Sequence, residues 1–382
     1  MKTVWGILSV LFIWALVFPI AGIAAFFLYV SNQGYFVPLV IAAYLSFGAM
    51  LVMARFELFA YKKYFWFGTA AAIALSLVFT IPSVYEKTRP TITDVQVDLT
   101  EYQPFEKSTK AVFLEGPASL HIQDDLPIID GATALYPIYA AFVQSVYPEK
   151  EYPPYDSEVM SNRTGAAYTN LIDGKVDIIF VSGPSTTQLN QAENAGKELK
   201  LTPIGKEAFV FFVNSKNPVT SLTEEEIKGI YSGKITNWKD VGGKDVEIRA
   251  FQRPENSGSQ TALQQFMGLT PIMKPPTEDV MSLMGGIIGE VSDYKNHKNA
   301  IGYTFRYYST QMVKNNKIRL LSVNGVEPTV DTIRSGEYPI TSEFYAVTAG
   351  SDNPHVEAFI EWILSDEGQE IIEKTGYVPV GK

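Results

Sequence analysis

The chain of 382 residues contains no cysteine and only three histidines, His121, His297 and His355. The first absence excludes a disulfide framework, a thiolate metal site and a cysteine nucleophile. The three histidines are widely scattered and none has a partner one helical turn away, so each reads as a surface or packing residue rather than a metal ligand or a base. Positive charge is also scarce, with 31 Lys and Arg against 41 Asp and Glu and a formal net charge of -10. That balance argues against a nucleic-acid partner, because a phosphate backbone demands basic patches. No Gly-x-Ser-x-Gly elbow and no histidine beside a nucleophile is present, so the chain carries no sign of being a hydrolase or other enzyme, and no cofactor or metal is called for.

Charge is missing altogether from three long runs. Val4 to Val30, Tyr35 to Met53 and Tyr64 to Val84 contain no Asp, Glu, Lys or Arg. Each approaches or exceeds the ~20 residues that cross a bilayer as a helix. Tyr35, Phe36, Tyr64, Phe65 and Trp66 cluster near their ends, where aromatic rings favour the headgroup layer. Three transmembrane helices are predicted, with Pro19 a candidate kink in the first. The first run also admits a signal-peptide reading, since Lys2 precedes it and Ala-Gly-Ile-Ala-Ala is small enough for cleavage, but it is longer than the usual h-region. Arg55, Lys62 and Lys63 lie between the second and third runs and belong on the cytoplasmic side, which puts everything after Val84 outside. Residues 1–85 are therefore predicted as a multi-pass membrane region. Residues 86–119 are polar and punctuated by Pro90, Pro104 and Pro117; they read as an extracytoplasmic stalk, with Thr91 to Leu99 able to add an edge strand.

Beyond the stalk, helix and strand signals alternate as in α/β domains. Ala208 to Val213 is a continuous apolar run suited to a strand buried on both faces. Thr223-Glu224-Glu225-Glu226 is a capping box, and Val356, Phe359, Ile360, Ile363 and Leu364 follow the spacing of one helix face. Between a strand ending at Phe251 and a helix starting near Ala262 lies Arg253-Pro254-Glu255-Asn256-Ser257-Gly258-Ser259-Gln260-Thr261. Free N–H groups at that helix start, the hydroxyls of Ser257 and Ser259, the flexible backbone of Gly258 and the fork of Arg253 together suit a tetrahedral oxyanion. The same residues also fit simple helix capping. Two further turns, Asp130-Gly131-Ala132-Thr133-Ala134-Leu135-Tyr136 and Asn162-Arg163-Thr164-Gly165-Ala166, precede helical stretches and leave the same two readings open. Three such turns in one domain favour a shared anion site.

These segments occur in an order that resembles the phosphate-binding proteins of bacterial phosphate ABC transporters, in the periplasmic-binding-protein superfamily. The resemblance runs over the last two-thirds of the chain. It is carried by Asp130 to Pro137, Thr164 to Ile178, the long passage Leu222 to Gly243 (Leu-Thr-Glu-Glu-Glu-Ile-Lys-Gly-Ile-Tyr-Ser-Gly-Lys-Ile-Thr-Asn-Trp-Lys-Asp-Val-Gly-Gly), Arg253 with Ser257-Gly258-Ser259, Ala300-Ile301-Gly302-Tyr303, and Gly376-Tyr377-Val378-Pro379.

The resemblance implies a two-lobe α/β fold with two crossover strands, lobe I from 120–205 and 341–382 and lobe II from 206–340, with the ligand between them. It places Thr133, Ala134, Thr164, Ser182, Arg253, Ser257, Gly258 and Ser259 at the ligand. Glu255 stands where an acidic residue can brace the site arginine, or is simply a solvated carboxylate. Two departures bear on the ligand. Ser182 occupies the place of the family's aspartate, which accepts a hydrogen bond from protonated phosphate, and Arg163 replaces a small residue. Either Arg163 lies on the surface or it makes the cleft more positive. Phosphate is the first expectation, with another oxyanion or a phosphorylated or carboxylated small molecule as the alternatives. The absent cysteine closes the family's lipid-anchor route, which leaves the helices as anchor. The partner expected is an ABC permease; the competing reading is an anion sensor or interaction module signalling through its helices.

Overall fold

The computed structural model describes residues 2–30, 34–88, 97–275, 280 and 299–381. The chain divides into two units, Met1–Pro90 and Thr91–Lys382.

The first unit is α1 (Lys2–Val30), α2 (Val37–Arg55) and α3 (Lys62–Thr88). Within them the stretches Trp5–Leu28, Val37–Arg55 and Lys62–Ile81 are long and apolar enough to cross a membrane. Side chains such as Leu8, Phe12, Phe27, Phe67 and Phe79 are more than half exposed, so these helices present apolar surface that water would not tolerate. Helix α2 packs against both α1 and α3. Gly48 makes the first contact possible, since a Cβ there would lie 2.6 Å from the Trp14 ring. Ser76 ties α3 to α2 by donating to Pro38 O at 3.1 Å. Pro19 lies inside α1, which continues past it.

The second unit contains, in order, β1 (Ile129–Gly131), α4 (Tyr136–Val146), α5 (Arg163–Ile172), β2 (Ile178–Ser182), α6 (Thr186–Asn194), β3 (Lys200–Asn214), β4 (Ser221–Leu222), α7 (Glu224–Tyr231), β5 (Arg249–Ala250), α8 (Gly258–Met267), β6 (Ala300–Phe305), β7 (Ile318–Leu320), β8 (Ser322–Val323), α9 (Val330–Ser335), β9 (Thr341–Thr348), α10 (Val356–Leu364), α11 (Asp366–Thr375) and β10 (Val378–Pro379). Its main sheet runs β1-β2-β9-β3-β6-β5. The apolar run at Ala208 to Val213 is the second half of the long strand β3. From Lys200 to Ala208 this strand pairs with β9, and from Phe209 to Val213 it pairs with β6. One strand thus serves two half-sheets, which exchange at Ala208 and Phe209.

Each half-sheet has its own apolar core. Tyr139, Phe142, Phe180, Phe359 and Ile363 pack among β1, β2, α4 and α10 on one side, while Phe209, Phe211, Tyr231, Leu263 and Tyr303 pack among β3, α7, α8 and β6 on the other. The capping box at Thr223 and Glu226 forms as the spacing predicts. The terminal amphipathic stretch ends at Leu364 because Ser365 leaves helical geometry and α11 starts anew.

The segment read as a stalk is described again from Val97 onward. Of the proposed edge strand, residues 91–96 lie outside the described residues; Val97 and Asp98 join no strand, and Leu99–Tyr102 form a 3₁₀ turn. From Val97 onward the segment is packed rather than free, with Val97, Leu99, Tyr102, Ala111 and Ala118 buried in the first core. Ser119 N and Oγ both donate to Glu367 on α11 at 2.9 Å. Apolar residues among the prolines let the stretch follow the lobe surface.

Candidate anion-binding site

All ten residues singled out in the sequence line one cavity of about 300 Å³: Thr133, Ala134, Arg163, Thr164, Ser182, Arg253, Glu255, Ser257, Gly258 and Ser259. Four elements converge to build it. Thr133 opens a 3₁₀ turn that runs into α4, Thr164 is in the first turn of α5, Ser182 ends β2, and Ser257 to Ser259 begin α8. The first N–H groups of α5 and α8 have no partner within their own helix and carry the positive end of its dipole.

Gly258 is required by the close approach of these elements. A Cβ there would sit 2.6 Å from Ser182 Oγ and 3.0 Å from Thr164 Oγ1. Ser257 caps α8, its Oγ accepting from Gln260 N at 3.3 Å, which leaves its own O–H proton for another acceptor. Ser182 and Ser259 are buried, and their hydroxyls have no hydrogen-bond partner among the described residues.

Arg253 is held by its backbone. Its N–H donates to Tyr303 Oη at 2.9 Å and to Gln260 Oε1 at 3.0 Å, and Tyr303 donates to the same Gln260 oxygen. Burial pulls the guanidinium down to about 10, and the nearby charge of Arg163 pushes the same way. It therefore stays cationic at neutral pH. Arg163 is exposed at the rim and has a left-handed backbone with φ 69°, which is uncommon for a residue bearing a Cβ. Glu255 is likewise exposed on the rim.

Asp130 does not face the cavity. Its carboxylate accepts from Gly131 N and Asn162 N at 2.7 Å, from Asn162 Nδ2 at 3.0 Å and from Asn170 Nδ2 at 2.9 Å. Its capacity goes into orienting the turn that starts α5.

The sequence reading missed the far end of the cavity: Glu207, Phe305, Tyr308, Phe344 and Tyr377 also line it, as does Val97. The Glu207 carboxylate lies where β3 exchanges partners, accepts from Ala208 N at 2.9 Å and Tyr307 N at 3.0 Å, and pairs with Arg306 Nε at 3.4 Å. Burial raises it to about 7 against the opposing pull of Arg306. An acidic residue immediately before an apolar run was the available signal. Tyr377 stacks on Tyr307 with centroids 4.5 Å apart and donates to Ala134 O, bracing the turn from behind. Among the described residues no cluster of His, Asp and Glu is arranged to hold a metal ion, and His297 lies outside them.

Comparison with known proteins identifies the family of the chain. Residues 125–367 match the PBP superfamily domain. The phosphate-binding protein PstS of Bacillus subtilis is 28% identical over 258 residues, covering 66% of this chain and 80% of that protein. PstS of Borreliella burgdorferi is 30% identical over 216 residues, covering 55% of this chain and 75% of the relative. A Clostridium perfringens protein crystallised with bound phosphate superposes with a TM-score of 0.51 at 27% identity, covering 66% of this chain and 98% of that one. The chain belongs to the PBP superfamily and, within it, to the PstS-type phosphate-binding proteins, which bind their solute and are not enzymes.

Proposed function

We propose that the chain is a membrane-anchored solute-binding protein that closes its lobes on phosphate, or a closely related oxyanion, outside the cytoplasm and passes it to an ABC permease. The observation that carries this reading is the meeting, in one cavity, of two buried hydroxyls that have no partner among the described residues, Ser182 and Ser259, with the starts of α5 and α8 and with Arg253. A buried polar group left unsatisfied costs about 1–3 kcal/mol. An oxyanion satisfies both hydroxyls at once and accepts from the backbone N–H groups and the arginine fork as well.

In this reading Thr133, Thr164, Ser182, Ser257 and Ser259 offer hydroxyls, and Ala134 and Gly258 offer backbone N–H groups. Arg253 supplies the main charge, while Arg163 and Glu255 tune the rim. Residues 120–205 with 341–382 form one lobe and 206–340 the other, in keeping with the exchange of partners along β3. Residues 1–85 are the anchor, and 86–119 connect it to the first lobe, on which the part from Val97 is packed. Arg55 at the end of α2 and Lys62 and Lys63 at the start of α3 favour a cytoplasmic loop and an external binding unit.

A second reading, sensing through the helices, is favoured by Val97, which lines the cavity and belongs to the connecting segment. Two experiments test the proposal. Calorimetric titration of the full chain in detergent with inorganic phosphate should give saturable binding, and protease added to intact cells should remove the domain after Val84 while sparing the loop at Arg55 to Lys63. Absence of binding removes the solute role, and protection of the large domain reverses the topology. Replacing residues 1–85 by an unrelated single-span anchor then separates the roles: phosphate uptake survives if the helices only tether.

A further inference from the structure

Asn256 lies in the turn before α8, on the side of the β3–β6 half-sheet, yet its bonds go to the other side of the cavity. Its Oδ1 accepts from Ser185 Oγ at 2.8 Å, and its backbone O accepts from Gln188 Nε2 at 3.4 Å. Ser185 and Gln188 are also the two members of the capping box that starts α6, each satisfying a backbone N–H of the other residue. Asn256 therefore docks on a prebuilt polar corner of the opposite lobe. Gly165, at the start of α5, brings a third element in: a Cβ there would be 3.6 Å from Asn256 O.

The backbone of Asn256 is left-handed, with φ 71°. Asparagine tolerates this conformation better than most residues bearing a Cβ. The turn needs that geometry to reverse direction between Arg253 and α8, and the side chain that tolerates it is also one that can accept a hydrogen bond. Glycine would serve the backbone equally well but could not accept the Ser185 proton. The choice of asparagine thus has a consequence at the lobe interface that the backbone requirement alone does not explain.

We propose that Asn256 is a closure latch: a positioning residue that holds the two lobes together over the bound anion through Ser185 and Gln188, setting how long the anion stays rather than how it is recognised. The inference rests on the two-lobe anion-binding reading above. A contact made only when the lobes meet stabilises the closed form and slows release, while leaving the encounter of anion and open cleft unchanged.

The test uses Asn256→Gly, which keeps the left-handed backbone and removes the acceptor. In the full chain in nanodiscs, stopped-flow measurement with inorganic phosphate should show release about five- to tenfold faster, the effect of one lost hydrogen bond, with association changed only as far as the open population of the ligand-free chain rises. Ser185→Ala removes the same bond from the other lobe, so the double variant should release phosphate no faster than the faster single variant. Additive effects in the double variant, or a change confined to association, would overturn the latch. Because the chain has no native cysteine, spin labels can be placed at Glu357→Cys and Lys244→Cys, on exposed positions of the two lobes. Without phosphate, Asn256→Gly should shift the distance distribution towards longer separations; identical distributions in the parent and the variant would also overturn it. This last comparison needs no ligand, so it decides the latch even if phosphate proves not to bind.

Discussion

Gly258 Cα and Ser182 Oγ face each other so closely that a methyl group on Gly258 would lie 2.6 Å from the hydroxyl. Helix α8 starts directly against the end of β2, and no side chain fits between. Gly258→Ala should force the helix start away from Ser182 and Thr164 and weaken phosphate binding at least about tenfold, on the scale of one or more misplaced hydrogen bonds. Adding Ser182→Gly removes the hydroxyl that the methyl group meets, so the double variant should bind better than Gly258→Ala. A double variant that binds worse would show that the contact is not what limits the site.

Arg253 is the most deeply buried cation at the cavity, and its backbone is clamped by Tyr303 and Gln260. Arg253→Ala should cost about 2–5 kcal/mol of phosphate binding, the range for truncating one side of a buried charge pair. Arg253→Lys keeps the charge but not the two-pronged geometry and should recover only part of the loss. Titration calorimetry with inorganic phosphate measures both; an unchanged dissociation constant in Arg253→Ala removes the residue from the site.

Ser182 bears on ligand choice. A serine hydroxyl donates to a fully ionised oxygen as readily as it accepts from a protonated one, whereas an aspartate can only repel the former. Asp130 is occupied by four hydrogen bonds and Glu255 is exposed, so neither replaces the missing acceptor in the buried shell. Discrimination between phosphate and sulfate should therefore be weak in the parent and should rise in Ser182→Asp, by several kcal/mol if the cleft closes fully, in competitive titrations across pH. Strict phosphate selectivity in the parent would show that another group sets the choice.

Glu207 links stability to pH. Its folded value of about 7 stands above the ordinary 4.5 because burial disfavours the carboxylate more than Arg306 and the two backbone N–H groups favour it. Between those values the folded chain holds a proton that the unfolded chain has released, so this group's contribution is complete below the unfolded value and is lost as pH rises through 7. Tyr307 and Tyr377 lie beside it and remain neutral over this range, since burial raises both of them. The melting temperature of Glu207→Gln, relative to the parent, should rise between pH 4.5 and 7.5, with about 3 kcal/mol as the upper limit of the effect. Parallel melting curves for the two proteins across this range would place the proton elsewhere.

The sequence alone determined the features whose physics is local. Three runs without charge become three long helices because every turn of them is apolar, and Thr223 with Glu226 caps α7 because a capping box needs only residues three apart. Thr133, Thr164, Arg253, Ser257, Gly258 and Ser259 were legible for a similar reason, since hydroxyls, glycine and arginine near the start of a helix show their use within a few positions, whereas Ser182 and Glu255 were named only through the family resemblance.

Tertiary structure decided whatever depends on partners far apart in the chain. That the Asp130 oxygens go to Gly131, Asn162 and Asn170 is not evident from a turn sequence alone. Residues 97–119 looked like a stalk because their prolines are evident in sequence, while the surface that buries Leu99 and Tyr102 is not. Glu207 and Arg306 meet across 99 positions because β3 and the segment after β6 lie side by side, and Asn256 reaches Ser185 across 71 because the turn before α8 lies against the start of α6. Hydrogen bonds and buried charges are short-ranged, so only the fold that brings their ends within about 3 Å can say which of them form.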